Sequence, residues 1–195
     1  MKIVIIDYGA GNIQSIKFAI KRLGYEAVLS DEATIIEAAD KVIFPGVGEA
    51  GSAMRMLRNK NLQDLIPNLK QPVLGICLGM QLMCNYCEEG DTEGLKIFNA
   101  DVRKFQKTLK VPQIGWNTIK NLKTDLFQGI SEDEYVYLVH SYYVAECEHE
   151  IAQTTYGVDY SCALHKDNFY GVQFHPEKSS KAGEKILKNF LNLEK

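Results

Sequence analysis

The chain has no excess of charge of either sign. Its 22 lysines and arginines stand against 25 aspartates and glutamates, a net charge of −3. That leaves no basic field for nucleic acid or an anionic membrane. No stretch approaches the roughly 18 consecutive apolar residues that a spanning helix needs. Internal repeats, low-complexity tracts and linker-like runs are also absent, so residues 1–195 read as one domain. A chain of this length buries about 70% of its unfolded surface without disulfide help. The five cysteines, Cys77, Cys84, Cys87, Cys147 and Cys162, are odd in number, which argues for reduced thiols. Met1 to Asp7 places an aspartate straight after four apolar residues. That reads as a first core strand and not as an export signal, so the expected compartment is the cytoplasm.

Two familiar motifs fail. Gly9-x-Gly11 follows the first strand pattern, but position 14 is glutamine, so the dinucleotide-binding fingerprint lacks its third glycine. Nor is there a phosphate loop or other ATP motif. Cys84-x-x-Cys87 is a lone pair, with no second pair or histidine cluster spaced to complete a zinc site, so no metal and no cofactor are expected. Both fall on the helical pattern after position 77, with Cys84 expected in the core and Cys87 partly exposed.

Apolar periodicity organises the first half. Residues 2–7, 25–29, 41–44 and 71–76 read as strands. Residues 12–23, 31–39 and 51–60 read as helices, the first carrying apolar positions 13, 16, 19, 20 and 23 and stopped by Gly24. The apolar runs of the strands are too continuous for a sheet covered on only one face. This is an α/β pattern: a doubly wound, mostly parallel central sheet with helices on both faces. In the second half, 94–120, 135–147 and 151–174 alternate β-rich runs with turns and suggest an added antiparallel region. Ser179 or Ser180 is expected to cap a last helix with apolar positions 186, 187, 190, 191 and 193.

Chemistry concentrates at two places. Gly75-Ile76-Cys77-Leu78-Gly79 follows an apolar run and opens a helical pattern, the strand-turn-helix arrangement that exposes a nucleophile on a tight elbow. The alternative is a buried cysteine in a glycine-containing turn. At Gln173-Phe174-His175-Pro176-Glu177 a strand pattern ends, and Pro176 biases His175 to extended backbone. Side chains two apart then share a side, so Glu177 can orient the His175 imidazole while its other nitrogen faces a thiol. A lone histidine here would be structural; paired with the cysteine elbow it reads as a triad. The amide of Leu78 follows the nucleophile and is an oxyanion donor by elbow geometry. Pro45-Gly46-Val47-Gly48 is the natural second source, though the same residues make an ordinary turn. Gln81, one helical turn beyond Cys77, can reach a bound substrate. His140 reads as structural, His149 between Glu148 and Glu150 as part of a solvated charge run, and His165 as loop.

Cys77 in Gly-Ile-Cys-Leu-Gly-Met-Gln, followed 98 positions later by His175-Pro176-Glu177, resembles the class I, triad glutamine amidotransferases. These hydrolyse the side-chain amide of glutamine and deliver ammonia to a synthase. Asp7-Tyr8-Gly9-Ala10-Gly11-Asn12, Phe44-Pro45-Gly46-Val47-Gly48 and Gly115-Trp116-Asn117 resemble, within that class, the glutaminase subunits of imidazole glycerol phosphate synthase in histidine biosynthesis. The resemblance spans nearly the whole chain. It implies that Cys77, His175 and Glu177 are catalytic. The peptide around Val47 and Gly48 would complete the oxyanion hole with Leu78, and rotate for activity. Gly46, Gln81, Ser141 and Tyr142 would contact glutamine.

The implied partner is a (β/α)8-barrel cyclase forming a heterodimer with this chain. Asn12, Trp116, Asn117, Tyr135, Tyr137 and Lys178 match positions facing it, although Tyr135 and Tyr137 also alternate as a plain strand face. Such a cyclase joins ammonia to a phosphoribulosyl-formimino aminoimidazole carboxamide nucleotide, giving imidazole glycerol phosphate and an aminoimidazole carboxamide ribotide. The triad is shared by the glutaminase subunits of anthranilate and aminodeoxychorismate synthases and by stand-alone γ-glutamyl hydrolases and peptidases. Trp116 and the Asp7–Asn12 pattern favour the histidine-pathway group. A non-catalytic α/β binding module would leave the triad unexplained.

Overall fold

The computed structural model describes residues 1–9 and 11–194; Ala10 of the Asp7–Asn12 pattern and Lys195 lie outside the described residues. The first half alternates as its apolar runs require: β1 (Ile3–Ile6), α1 (Ile13–Arg22), β2 (Ala27–Ser30), α2 (Ala33–Glu37), β3 (Lys41–Gly46), α3 (Ala50–Asn59), α4 (Leu62–Leu65), β4 (Val73–Cys77) and α5 (Leu78–Leu82). The second half is β-rich: β5 (Tyr86–Cys87), β6 (Thr92–Glu93), β7 (Asp101–Lys104), β8 (Gln113–Ile119), β9 (Glu134–His140), β10 (Tyr142–Val144), β11 (Glu150–Thr155), β12 (Asp159–Lys166) and β13 (Phe169–Val172). Then comes α6 (Ser180–Asn192).

One sheet of eleven strands runs β2-β1-β3-β4-β13-β12-β10-β7-β5-β6, with β11 pairing β12, and β8 and β9 form a separate antiparallel ribbon. The strands from β2 to β13 in that order pair in parallel. Beyond β13 the pairings are antiparallel except for β5 with β7. The architecture is the doubly wound α/β sheet with antiparallel additions expected from the sequence.

Two apolar cores cover the sheet. Val4, Ile6, Val42, Phe44 and Val73 pack with residues of α2 to α5, while Ile3, Ile5, Ile43, Leu74 and Ile76 pack with α1, α6 and the β8–β9 ribbon. Successive strand residues point to opposite faces, so strands buried on both sides must be apolar at every position, as β1 and β4 are. Among the described residues no helix is long and apolar enough to cross a membrane.

Several local expectations need correction. The helix after the elbow stops at Leu82, so Cys84 lies in a turn and Cys87 on β5; both are buried, and Cys87 is not exposed. His165 lies on β12, stacked on Tyr170 at 4.2 Å between ring centroids. His149 is not solvated: its ring packs at 5.8 Å from Phe98, and the neighbouring Glu150 is buried and accepts from Ser161. Ser179 precedes α6 without a side-chain cap bond, because its hydroxyl donates to the His175 carbonyl instead. Helix α3 begins at Ala50, since the Glu49 carboxylate accepts from the amides of Gly51 and Ser52. The α4 turn had no periodic signal in four residues.

The contact that matters most for the site is that of α5 with the sheet. A Cβ on Gly79 would lie 2.0 Å from the Phe44 carbonyl oxygen, and one on Gly171 would lie 2.4 Å from Met80 Cγ. Only glycine lets the elbow helix sit this low over β3 and β13. Gly79→Ala must move backbone, whereas at Gly171 a flexible methionine can yield. We therefore expect Gly79→Ala to lower stability by about 3 kcal/mol and Gly171→Ala by less, as read from urea unfolding.

Candidate active site

The parallel pairing of β4 with β13 aligns Ile76 with Val172, and that of β4 with β3 aligns Cys77 with Gly46. Whatever follows these strands therefore emerges together at the carboxyl edge of the sheet, the usual binding edge of such folds. Cys77 ends β4 and caps α5 with φ 55° and ψ −112°. A non-glycine residue held there stores about 1–3 kcal/mol of strain. The surrounding close packing maintains it.

His175 comes off β13 in extended backbone, φ −98° and ψ 95°. Strand alternation is not what joins it to Glu177, because Pro176–Lys178 forms a 3-10 turn. That turn folds the carboxylate back so that Oε1 accepts from Nδ1 at 2.8 Å, with the two side chains 6% and 1% exposed. Among the described residues, Glu177 Oε2 is buried without a hydrogen-bond partner. The His175 backbone is tied down as well: its amide donates to the Tyr137 carbonyl, and the Ser179 hydroxyl, donating to its carbonyl, accepts from the Tyr137 amide.

Burial pushes the His175 imidazole toward its neutral form. Hydrogen bonding to the Cys77 sulfur and to Glu177, together with their negative charge, outweighs burial and raises the pKa from 6.5 to about 10. The ring is thus an imidazolium at neutral pH, between a sulfur and a carboxylate.

A cavity of about 360 Å³ opens beside them, lined by Cys77, Leu78 and His175, by Val47 and Gly48 after β3, and by Gln81, Ser141 and Tyr142. Gly46 stays out of it, buried in β3, where a Cβ would sit 2.4 Å from the Gly79 amide nitrogen. Gln81 donates both amide protons inward, to the Tyr142 carbonyl at 3.0 Å and to Gln173 Oε1 at 2.9 Å. Its remaining polar atom is an acceptor. His140 donates from Nδ1 to the same Tyr142 carbonyl at 2.6 Å, and burial drives its pKa down to about 4. It is a neutral strut, as the sequence suggested.

Sequence reasoning missed three residues here. Glu89 lines the cavity and accepts from the Ala50 amide at 2.9 Å, with burial raising its pKa. In the run Glu88-Glu89-Gly90-Asp91 nothing distinguishes it from solvated acidic residues. Val139 supplies a carbonyl 3.7 Å from Cys77 Sγ, and Gln173 donates to that sulfur at 3.7 Å. Only Gln173, two positions before His175, carried a signal that periodicity could have used. Among the described residues no cluster of three or more histidine, cysteine or acidic side chains could hold a metal.

The family model described as glutamine amidotransferase class-I matches residues 4–193. The chain belongs to the class-I glutamine amidotransferase family. It is an enzyme of that kind. This amidotransferase is 55% identical over 99% of its length to the whole of a Bacteroides thetaiotaomicron protein named imidazole glycerol phosphate synthase subunit HisH. A Haemophilus influenzae protein of the same name is 48% identical, over 98% of this chain and 97% of its own. Among solved structures, a putative GMP synthase subunit from Thermoplasma acidophilum superposes with a TM-score of 0.77 at 19% identity. That match covers 98% of this chain and 92% of the other, and PurLQS from Thermotoga maritima gives 0.72 at 13% over 98% and 97%. These two likenesses concern the fold.

Of the residues expected to face a partner, Lys178 lines the cavity. On the β8–β9 ribbon Trp116 pairs with Tyr137 and Thr118 with Tyr135. Opposed residues share a face, so Ile114, Trp116 and Tyr135, 63%, 52% and 57% exposed, line one side. Val139 on that side and Lys178 after His175 both line the cavity. Asn117 bonds instead to the Thr155 carbonyl, and Asn12 accepts from the Ser15 hydroxyl at the start of α1.

The two perturbed histidines set opposite pH limbs. Between 6.5 and about 10 the folded chain keeps a proton on His175 that the unfolded chain has lost, so stability falls as pH rises through that window. Between about 4 and 6.5 the folded chain refuses on His140 a proton that the unfolded chain takes up, so stability falls as pH drops. Urea midpoints followed against pH should lose most of the alkaline slope in His175→Gln and most of the acid slope in His140→Gln.

Proposed function

We propose that this chain is a one-domain, cytoplasmic glutaminase subunit. It hydrolyses L-glutamine and hands ammonia to a (β/α)8-barrel cyclase of imidazole glycerol phosphate synthase. The observation that carries this reading is the sulfur, imidazolium and carboxylate aligned at the wall of the cavity, in a chain half identical to proteins of that name.

The Cys77 sulfur attacks the glutamine δ-carbonyl carbon, and the oxyanion is met by the Leu78 amide and by an amide of the Val47–Gly48 segment. Such a donor is typically worth about 3 kcal/mol in the transition state. His175, already protonated, gives its proton to the departing nitrogen, and ammonia leaves a glutamyl thioester on Cys77. The imidazole, now neutral, takes a proton from water as that water attacks the thioester, and glutamate is released. Glu177 keeps the ring oriented through both steps. Gln81 offers an acceptor and Glu89 a negative charge, both complementary to the α-ammonium group of glutamine, and Ser141 and Tyr142 line the same cavity.

Ammonia at neutral pH is mostly ammonium and unreactive, so the product has to travel shielded. The exposed face carrying Ile114, Trp116 and Tyr135 suits a protein partner, since large aromatics are favoured as interface anchors. Tyr137, cross-strand from Trp116, belongs to this face, and the family resemblance adds Asn12, Asn117 and Lys178 as partner positions.

The isolated chain should hydrolyse glutamine slowly, and a liganded cyclase should raise that rate. Cys77→Ala should reduce glutamine-dependent synthesis by the complex at least about a thousandfold, while synthesis from added ammonium salts survives. Full glutaminase rates without a partner would favour a stand-alone hydrolase. Recovery of a chorismate-using enzyme in a pull-down would favour one of the rival synthases.

A further inference from the structure

We propose that Gln173 is a dedicated donor to the nucleophilic sulfur, and that it couples the sulfur to the substrate-gripping Gln81 through one buried amide. The inference rests on Cys77 being the nucleophile. Gln173 is fully buried, its Nε2 lies 3.7 Å from Cys77 Sγ, and its Oε1 lies 2.9 Å from Gln81 Nε2.

The network itself dictates which end of each amide points where. The Tyr142 backbone carbonyl can only accept, so the Gln81 atom 3.0 Å away must be its NH₂ group. That group also faces Gln173, so the Gln173 atom opposite it must be the oxygen. The Gln173 NH₂ is thereby left aimed at the sulfur. The backbone reinforces the placement: Gln173 donates its own amide to the Cys162 carbonyl at 2.8 Å, directly after β13, and it shares a side with His175 two positions on. One short segment thus delivers a neutral donor and a charged donor to the same atom.

An N–H donor favours thiolate over thiol, because a charged sulfur is the better acceptor. The opposing contact is the Val139 carbonyl, 3.7 Å from the sulfur, which can accept only from the protonated thiol. Titratable groups coupled to the sulfur include His175, an imidazolium paired with Glu177, and the phenols of Tyr8 and Tyr160. Burial raises both phenols above their ordinary range, so they stay neutral. His140 is neutral as well. Gln173 is thus set against Val139, with His175 as the charged contribution. Because Gln81 has no free proton, it cannot turn toward a ligand without releasing Gln173. The substrate-facing acceptor and the nucleophile are held in one rigid unit.

The test is the pH dependence of Cys77 alkylation by iodoacetamide in the full chain, followed by mass spectrometry of the Cys77 peptide, with kcat and KM for glutamine measured alongside. Gln173→Met, similar in reach but without a donor, should move the alkylation midpoint up by about one pH unit, the tenfold weakening expected for a lost hydrogen bond to a charged group. Its kcat should fall about tenfold or more. Gln173→Glu keeps an acceptor for Gln81 but places negative charge at the sulfur, so it should shift the midpoint further while changing KM less than kcat. Thermal melting shows which variants are folded, and Gln173→Glu decides the matter alone if the methionine variant is not. Midpoints equal to that of the wild type in a folded variant overturn the role of Gln173. A wild-type Cys77 that glutamine fails to protect from alkylation overturns the nucleophile assignment, and this inference with it.

Discussion

The site depends on the parallel pairing of β4 with β13, strands that lie almost a hundred residues apart in the chain. The register that sets Ile76 beside Val172 also sets the next residues, Cys77 on one side and Gln173 to His175 on the other, at one edge of the sheet. A one-residue slip would turn every side chain of β13 to the opposite face. Such a slip is resisted because Val172 and Phe174 fill one core, while Phe169 belongs to the other. Packing that appears remote from the chemistry thereby determines where the imidazole arrives.

Around that register the protein keeps costly features in place by surrounding them. Cys77 sits at positive φ, and a carboxylate and an imidazole are removed almost wholly from water. A buried charge is tolerable when paired and hydrogen-bonded, and expensive otherwise. Here the imidazolium lies between sulfur and carboxylate, and its backbone is anchored through Tyr137 and Ser179. The serine expected to cap α6 was instead used to hold this segment. Local capping preference was worth less than fixing the residue that carries the proton.

Much of the organisation was legible from single residues. The near-continuous apolar runs of β1 and β4, the stripe of α1 ended by Gly24, and the elbow glycines each reflect a local rule with one good solution. The misreadings occurred where local rules were silent or tertiary contacts overrode them. Helical periodicity after Cys77 runs on past Leu82 in the sequence, yet the chain turns there so that Tyr86–Cys87 can pair with β7. The acidic run about Glu89 resembles any solvated turn until the chain folds it against the cavity. His149 looked exposed between two glutamates, whereas Phe98 and β12 cover it.

Two short motifs, the cysteine elbow and His-Pro-Glu, contained enough chemistry to point to the class of reaction, because a nucleophile, a base and an orienting carboxylate need specific atoms whatever the fold. What they lacked was direction. Which amide end of Gln173 meets the sulfur, which atom of Gln81 remains for a ligand, and that His140 is neutral while His175 is charged all depend on neighbours distant in sequence. Hydrogen bonding and desolvation are properties of assembled surroundings, and only the tertiary structure supplied them.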